Sequence, residues 1–180
     1  MNFLYVDNSN VWIEGMHVSA VQVGLAPDIW TAQNEKICHY DWKIDFGRLY
    51  EFAGGQASEV GRAVLFGSRP PPNDTLWEIA RSKGFEPIVY DRSTRNREKK
   101  VDTSISTEIM ADSYEHMSAE RDEITLVAGD SDFVPTVQKL RGREFTVHVM
   151  FWDHASRELK DAATKFISLN SYLTFLRLAR

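Results

Sequence analysis

The stretch Phe3-Leu4-Tyr5-Val6-Asp7 decides which fold to expect, because a run of four apolar residues ends abruptly at an acid. An uninterrupted apolar run of this length is typical of a strand that is covered on both faces. Four more such runs lie further along the chain, at residues 63–66, 87–90, 124–128 and 146–152. Segments with helical spacing of apolar residues separate them, at 45–52, 74–84, 102–116, 133–141 and 156–166. This alternation predicts an α/β fold of the Rossmann-like kind, with a central parallel sheet of about five strands and helices on both faces.

The length and composition suit a single globular domain. The chain has 180 residues, 43% hydrophobic and 26% charged, so we expect one domain over residues 1–180. The net charge of −5 rules out a basic field over the whole surface but leaves room for a local basic patch. Cys38 is the only cysteine, which excludes an intrachain disulfide and a Cys-rich zinc site. No apolar run reaches the ~18–20 residues of a membrane span and no signal peptide is evident, so we expect a cytoplasmic protein without membrane contact.

Two segments depart from the simple alternation of strands and helices. Residues 16–43 fit no clean period, and we expect an inserted ordered segment there, with a lid or a partner surface as the alternative. Near the carboxyl terminus, Leu169, Tyr172, Leu173 and Leu176 form one apolar stripe and predict a helix over about residues 169–179. That helix would dock on the domain, and a contact in a homodimer is the alternative.

Acidic residues follow three of the predicted strands, at the edge where open α/β sheets bind ligands. Asp7 follows the first strand, Asp130 and Asp132 follow the fourth, and Asp102 follows the third after a basic stretch. Two carboxylates ~4 Å apart repel each other by about 4 kcal/mol at an effective dielectric constant of ~20, so their convergence requires a cation or raised pKa values. Oxygen ligands without histidine or cysteine favour Mg²⁺ or Mn²⁺. The chemistry of such sites is mostly phosphoryl chemistry.

Each of these acids also has a purely structural interpretation. Asp102 and Asp132 both stand where a predicted helix starts, and either could be an N-cap. Capping explains Asp7 less well, because the polar residues 8–10 that follow it are better placed to cap the next element.

Three short motifs occur along the chain at boundaries of strands or helices. The first is a strand that ends in Asp-x-x-Asn, at residues 7–10. The second is Lys-x-Val-Asp at residues 99–102. The third is an apolar strand followed by Gly-Asp-Ser-Asp-Phe at residues 129–133. In this order they resemble the LabA-like branch of the NYN-domain family of PIN-like nucleases, although the family commonly has Gly where this chain has Lys100. The resemblance implies a PIN-like fold and a ribonuclease that depends on Mg²⁺ or Mn²⁺.

The resemblance also implies roles for individual residues. The metal ligands and catalytic residues would be Asp7, Asp102, Asp130 and Asp132. Glu108 is a further candidate ligand, because many relatives carry an Asp at that position. Asn10 would position substrate or brace Asp7, and Ser131 would lie beside the metal and touch a phosphate. The substrate would be single-stranded or structured RNA.

Basic residues near the predicted site are candidates for phosphate contacts. Arg95, Arg97 and Lys99 come just before Asp102, and Lys99 matches the family lysine. Arg69 follows the second strand and therefore belongs to the same edge of the sheet. A solvated loop is the alternative interpretation of this charge run. His154, after the fifth strand, is a weaker candidate for a general base.

Two other functional classes compete with the ribonuclease hypothesis. A domain of the same fold could bind RNA or a nucleotide without cutting it. An aspartyl phosphatase of the haloacid dehalogenase type would use Asp7 as its nucleophile, but it needs an acid two residues later, where this chain has Ser9.

Overall fold

The computed structural model describes residues 1–69, 74–91 and 97–179, without the side chains of residues 69, 91 and 97–100. Its strands form one parallel sheet in the order β3-β2-β1-β4-β5-β6. The strands are β1 Asn2–Asp7, β2 Val60–Arg69, β3 Glu86–Asp91, β4 Glu123–Val127, β5 Thr146–Phe151 and β6 Lys165–Ser168. The predicted α/β fold with a parallel sheet is confirmed, and the sheet has one strand more than the five apolar runs indicated.

Helices cover both faces of this sheet. They are α1 Asn8–Gln22, α2 Ile29–Asn34, α3 Phe46–Gly54, α4 Thr75–Ser82, α5 Arg97–Glu115, α6 Val134–Gly142 and α7 Arg157–Ala162. Along β1, Leu4 and Val6 pack with α1, α3 and α4, whereas Tyr5 packs with α5, α6 and α7 on the other face. All three side chains are fully buried, and burial of each aliphatic one stabilises the fold by about 1.5–3 kcal/mol.

The strand order places a switch point at β1. The chain runs from β1 outward to β2 and β3 on one side, and returns to build β4, β5 and β6 on the other. β1 and β4 are therefore parallel neighbours, with Val6 opposite Val127. In open α/β sheets the crevice beyond the carboxyl ends of such a pair is where ligands bind. Asp7 is the last residue of β1, and Asp130 lies three residues beyond the end of β4.

The carboxyl-terminal region differs from its prediction. The helix expected over 156–166 stops at Ala162, and β6 follows it. The helix expected over about 169–179 is wrong: the structure has a short 3₁₀ helix at Asn170–Tyr172, then turns. Leu169, Leu173 and Leu176 of the apolar stripe are buried, whereas Tyr172 is 41% exposed. The backbone bonds to a distant segment, since Asp45 N–H donates to Leu176 O at 2.8 Å and Leu178 N–H donates to Lys43 O at 2.7 Å. The spacing of apolar residues within a segment does not show which distant segment its backbone will bond to.

The segment 16–43 is also organised differently from the expectation. Its first residues, 16–22, belong to α1, which starts directly after β1 and was not predicted as a helix. The remainder carries α2 and then Trp42, whose side chain is buried against Trp152 with ring centroids 5.7 Å apart. Trp42 Nε1 donates a hydrogen bond of 3.0 Å to Leu173 O and so ties this segment to the carboxyl-terminal turns.

We expect Gly15→Ala to lower the free energy of unfolding by about 1–3 kcal/mol, because there is no space for a β-carbon between α1 and two tryptophan rings. A β-carbon at Gly15 would lie 2.5 Å from the Trp42 ring and 2.7 Å from the Trp152 ring. The measurement is urea unfolding followed by tryptophan fluorescence.

Gly142→Ala is the matched control, because at this last residue of α6 the described residues leave open space around an added β-carbon. It should be neutral or slightly stabilising. Equal stability of the Gly15 variant and wild type would contradict the close packing of α1.

Candidate metal centre

Asp7 is fixed by the junction between β1 and α1. It is the last residue of β1 and the N-cap of α1, and its Oδ1 accepts a hydrogen bond of 3.1 Å from the backbone N–H of Asn10. The side chain is buried. The expectation that the polar residues 8–10 would cap this helix in place of Asp7 is wrong, because the helix already begins at Asn8.

Three carboxylates from different parts of the chain converge at this point. Asp7, Asp102 and Asp130 each offer a carboxylate oxygen, and these oxygens lie within 4.8 Å of one another. Asp130 follows β4 after Gly129, where a β-carbon would lie 2.2 Å from the Phe151 ring, so a glycine is needed for the close approach. Asp102 lies inside α5, which begins at Arg97, so it is not an N-cap.

The fourth predicted ligand, Asp132, is placed differently. It lies in the 3₁₀ helix Ser131–Phe133, is exposed, and is not a member of the three-carboxylate group. Asp132 and Ser131 nevertheless line the same cleft as the three carboxylates. Asp132 therefore faces the site from its rim, and its role as a ligand stays a prediction.

Glu108 belongs to a separate network around Arg62. Arg62 Nη1 donates to Glu108 Oε1 at 2.7 Å and to Asp112 Oδ2 at 2.6 Å, and Tyr5 donates to the same Asp112 oxygen at 2.5 Å. Glu108 is six residues after Asp102 on α5, which is about 9 Å along the helix axis. The structure thus places Glu108 in contacts that fasten α5 to β1 and β2, outside the carboxylate group.

The pKa of Asp7 is shifted by its position in this centre. Burial, followed by the nearby charges of Asp102 and Asp130, raises the pKa of Asp7 to about 7, although the N–H bond from Asn10 acts in the opposite direction. Without a cation, the centre therefore retains a proton on Asp7 at slightly acidic pH. A bound divalent cation favours the ionised form of every carboxylate around it.

Asn10 connects two of the three carboxylates. Its backbone N–H donates to Asp7, and its side-chain Nδ2 donates to Asp130 Oδ2 at 2.8 Å. Its Oδ1 is buried and has no hydrogen-bond partner in the described ranges. An unsatisfied buried acceptor costs about 1–3 kcal/mol, so this oxygen is suited to a donor or a cation that the described residues do not supply. With three carboxylates and an orphaned amide oxygen, the donor set fits Mg²⁺ or Mn²⁺.

The cleft around this centre has a volume of about 480 Å³. Its described walls comprise Asp7, Ser9, Asn10, Ile13, Glu14, Ser68, Val101, Asp102, Asp130, Ser131 and Asp132. Ile13, Glu14 and Ser68 line the cleft but were not predicted from the sequence as site residues. The spacing of Asp7, Asn10 and Glu14, at successive turns of one helix face, would have indicated Glu14 if α1 had been predicted.

Other residues singled out in the sequence fall outside the carboxylate group. Arg95 lies outside the described residues, and so do the side chains of Arg69, Arg97 and Lys99. His154 lies beyond β5, and its Nε2 is 2.6 Å from Glu14 Oε2. No helix in the described part of the chain combines the length and apolar character that a membrane span requires.

The fold and the cleft together define an α/β protein with an acidic, metal-type site at the switch point of a parallel sheet. The family model of the NYN domain matches residues 11–170, and the chain belongs to this family. The match begins just after the first motif, residues 7–10. The NYN domain has a PIN-like nuclease fold, and nucleases of this kind are hydrolases that usually use a divalent metal. The acidic cluster such a metal would need is present in this chain.

One solved structure, from Vibrio parahaemolyticus, has the same fold and is described as a protein of unknown function. It is 21% identical, aligns over 93% of this chain and 91% of its own, and superposes with a TM-score of 0.65. No curated protein is significantly similar to the chain.

We expect Asp7→Asn to stabilise the metal-free protein at neutral and alkaline pH. The carboxyl of Asp7 binds its proton more tightly in the folded state, with a pKa of about 7, than at its ordinary value of 3.8. Wild-type stability from this group is thus full below pH 3.8 and is lost as pH rises through about 7. The variant has no ionisable group at this position, so its stability does not fall over this pH range. Its free energy of unfolding should exceed that of wild type by roughly 2–4 kcal/mol at pH 8, and by less at pH ~4.5.

Urea unfolding in EDTA across this pH range measures the gap. Asp161→Asn, at an exposed position on α7, is the control and should show no comparable change. A gap that does not depend on pH would contradict the buried, proton-retaining state of Asp7.

Proposed function

We propose that this protein is a divalent-metal-dependent ribonuclease that hydrolyses phosphodiester bonds at the centre formed by Asp7, Asp102 and Asp130. The observation that carries the proposal is the convergence of three carboxylate oxygens within 4.8 Å, supplied by β1, α5 and the loop after β4. Family membership supports a nuclease-type hydrolase. An NYN nuclease implies RNA as its substrate.

The bound Mg²⁺ or Mn²⁺ would supply an activated water for attack on phosphorus and would offset the charge on the leaving oxygen. The chain's own residues prepare the site for this. Asp7, Asp102 and Asp130 would hold the cation in their ionised forms, and the Asn10 amide holds Asp130 in place. The products would carry a 5′-phosphate and a 3′-hydroxyl.

Residues on the rim of the cleft are assigned to the substrate. Ser131 and Asn10 line the cleft beside the carboxylates, where a hydroxyl and an amide can contact a phosphate oxygen. Asp132, exposed on the same wall, is assigned to the cation as a further ligand. The basic residues Arg69, Arg95, Arg97 and Lys99 are assigned to the phosphates of the flanking nucleotides on the strength of the sequence.

We expect Asp102→Asn and Asp130→Asn to reduce cleavage of labelled single-stranded RNA by at least ~100-fold in Mn²⁺, because each removes an ionised ligand of the cation. EDTA should abolish cleavage by wild type, and readdition of Mg²⁺ or Mn²⁺ should restore it. Asp161→Asn serves again as the matched change of charge and should cleave like wild type.

Undiminished cleavage by either variant would show that the reacting centre lies elsewhere. Wild-type protein that binds RNA in EDTA but yields no product in Mn²⁺ would identify a non-catalytic binding domain of the same fold.

Asn10→Ala tests the bridge between the carboxylates separately. Removal of the amide leaves Asp130 without this donor but keeps all three carboxylates, so cleavage should fall by about 10–100-fold. Mn²⁺ affinity, measured by isothermal titration calorimetry, should fall in parallel. Wild-type affinity and activity in this variant would mean that the amide does not orient Asp130.

A further inference from the structure

Glu14 is a further carboxylate on the wall of the cleft, apart from the three that converge. Asp7, Asn10 and Glu14 lie at successive turns on one face of α1, and all three line the cleft. A rise of ~1.5 Å per residue places the backbone of Glu14 about 10 Å along the helix from Asp7. Glu14 is not a member of the group whose oxygens lie within 4.8 Å of one another.

One oxygen of Glu14 is held by three neighbours. Gln33 Nε2 donates to Oε2 at 2.8 Å, His154 Nε2 lies 2.6 Å from the same oxygen, and His17 Nδ1 lies 3.4 Å from it. The two histidine side chains are only 7% and 8% exposed. All these contacts end on Oε2, and the described residues place none on Oε1. The carboxylate is therefore fixed in position through Oε2, and Oε1 can accept a hydrogen bond from a ligand in the cleft.

Glu14 is also a permanent negative charge. Burial alone raises the pKa of Glu14, but the hydrogen bond and charge of His154, with smaller contributions from Gln33 and His17, outweigh it, so the pKa of Glu14 is lowered overall. A fixed anion repels phosphate groups. In a cleft that takes a nucleic acid strand, such a group favours a part of the substrate that donates a hydrogen bond over a phosphate.

The hydrogen-bond donors of a nucleotide are the ribose 2′-hydroxyl and the base N–H groups. Carboxylates that read a base edge accept from the amino group of cytosine, and discrimination between bases is strongest when the contact is bidentate. Glu14 offers a single oxygen, since Oε2 is taken, whereas a hydroxyl needs only one acceptor. The separation from Asp7 directs Oε1 to the sugar of a nucleotide beside the one being cut, away from the reacting phosphorus.

We infer that Glu14 is a specificity-determining residue that accepts a hydrogen bond from a ribose 2′-hydroxyl through Oε1. The 2′-hydroxyl is the group by which proteins distinguish RNA from DNA. The inference rests on the proposed function, because it requires a nucleic acid strand in the cleft. Gln33, His17 and His154 are positioning residues that hold the carboxylate.

The test uses single-stranded RNA oligonucleotides in which one ribose at a time, on either side of the cleavage point, is replaced by 2′-deoxyribose. Wild type should cleave one of these chimaeras about tenfold or more slowly than the all-RNA strand, the effect of losing one hydrogen bond to a charged group. In Glu14→Ala and Glu14→Gln the same deoxyribose should cost less than ~3-fold.

Because each variant is compared with itself on two substrates, a general loss of activity cancels from the ratio. Glu14→Gln keeps an oxygen for Gln33 and His154 and therefore protects the fold if the Ala variant is damaged. Glu115→Gln, at an exposed position at the end of α5, makes the same change of charge and should keep the full deoxyribose effect.

An equal deoxyribose effect in wild type and both Glu14 variants would overturn the inference, and so would the absence of any such effect in wild type. A change in base preference without a change in the sugar effect would assign Glu14 to a base edge and also overturn it. If wild type cuts nothing, the ribonuclease proposal fails, and fluorescence anisotropy with the same chimaeras decides the inference on binding. Loss of the deoxyribose effect on affinity in the variants then supports it, and an unchanged effect refutes it.

Discussion

The repulsion among three carboxylates at the carboxyl end of β1 is the constraint around which this molecule is built. Asp7 and Asp130 follow adjacent strands, and Asp102 is brought to them by α5. The free energy gained by burying the rest of β1 on both faces offsets the cost of this concentration of charge, since Leu4, Tyr5 and Val6 are fully buried. The proton that Asp7 binds at slightly acidic pH reduces this repulsion, and a bound cation would also reduce it.

Helix α1 carries residues of both parts of the cleft, the carboxylate centre and the Glu14 wall. Its first residues carry the N-cap Asp7 and the bridging Asn10, and the next turn carries Glu14. An adjoining side of the helix packs closely on the tryptophans of the core through Gly15. A shift of this helix would therefore disturb Asp7, Asn10 and the Glu14 carboxylate together.

Much of the fold was predictable from the sequence, because buried parallel strands are continuous apolar runs and acids at their ends meet at one edge of the sheet. Helix α1 was not, since its buried residues include the polar Asn8, His17 and Ser19 and leave no apolar stripe. The separation of Asp132 from the carboxylate group depends on a single 3₁₀ turn, which motif spacing does not encode. The contacts of Glu108 depend on Arg62, a residue 46 positions away in the sequence.

The network around Arg62 lies near the amino ends of the strands, remote from the cleft, yet it holds the helix that carries Asp102. Arg62 lies opposite Phe3 near the start of β1, and it donates hydrogen bonds to Glu108 and Asp112 of α5. Because an α-helix behaves nearly as a rigid rod, this anchoring at the far rim of the sheet also constrains the position of Asp102 along α5. A change at residue 62 would therefore shift Asp102 while every group that lines the cleft stays the same.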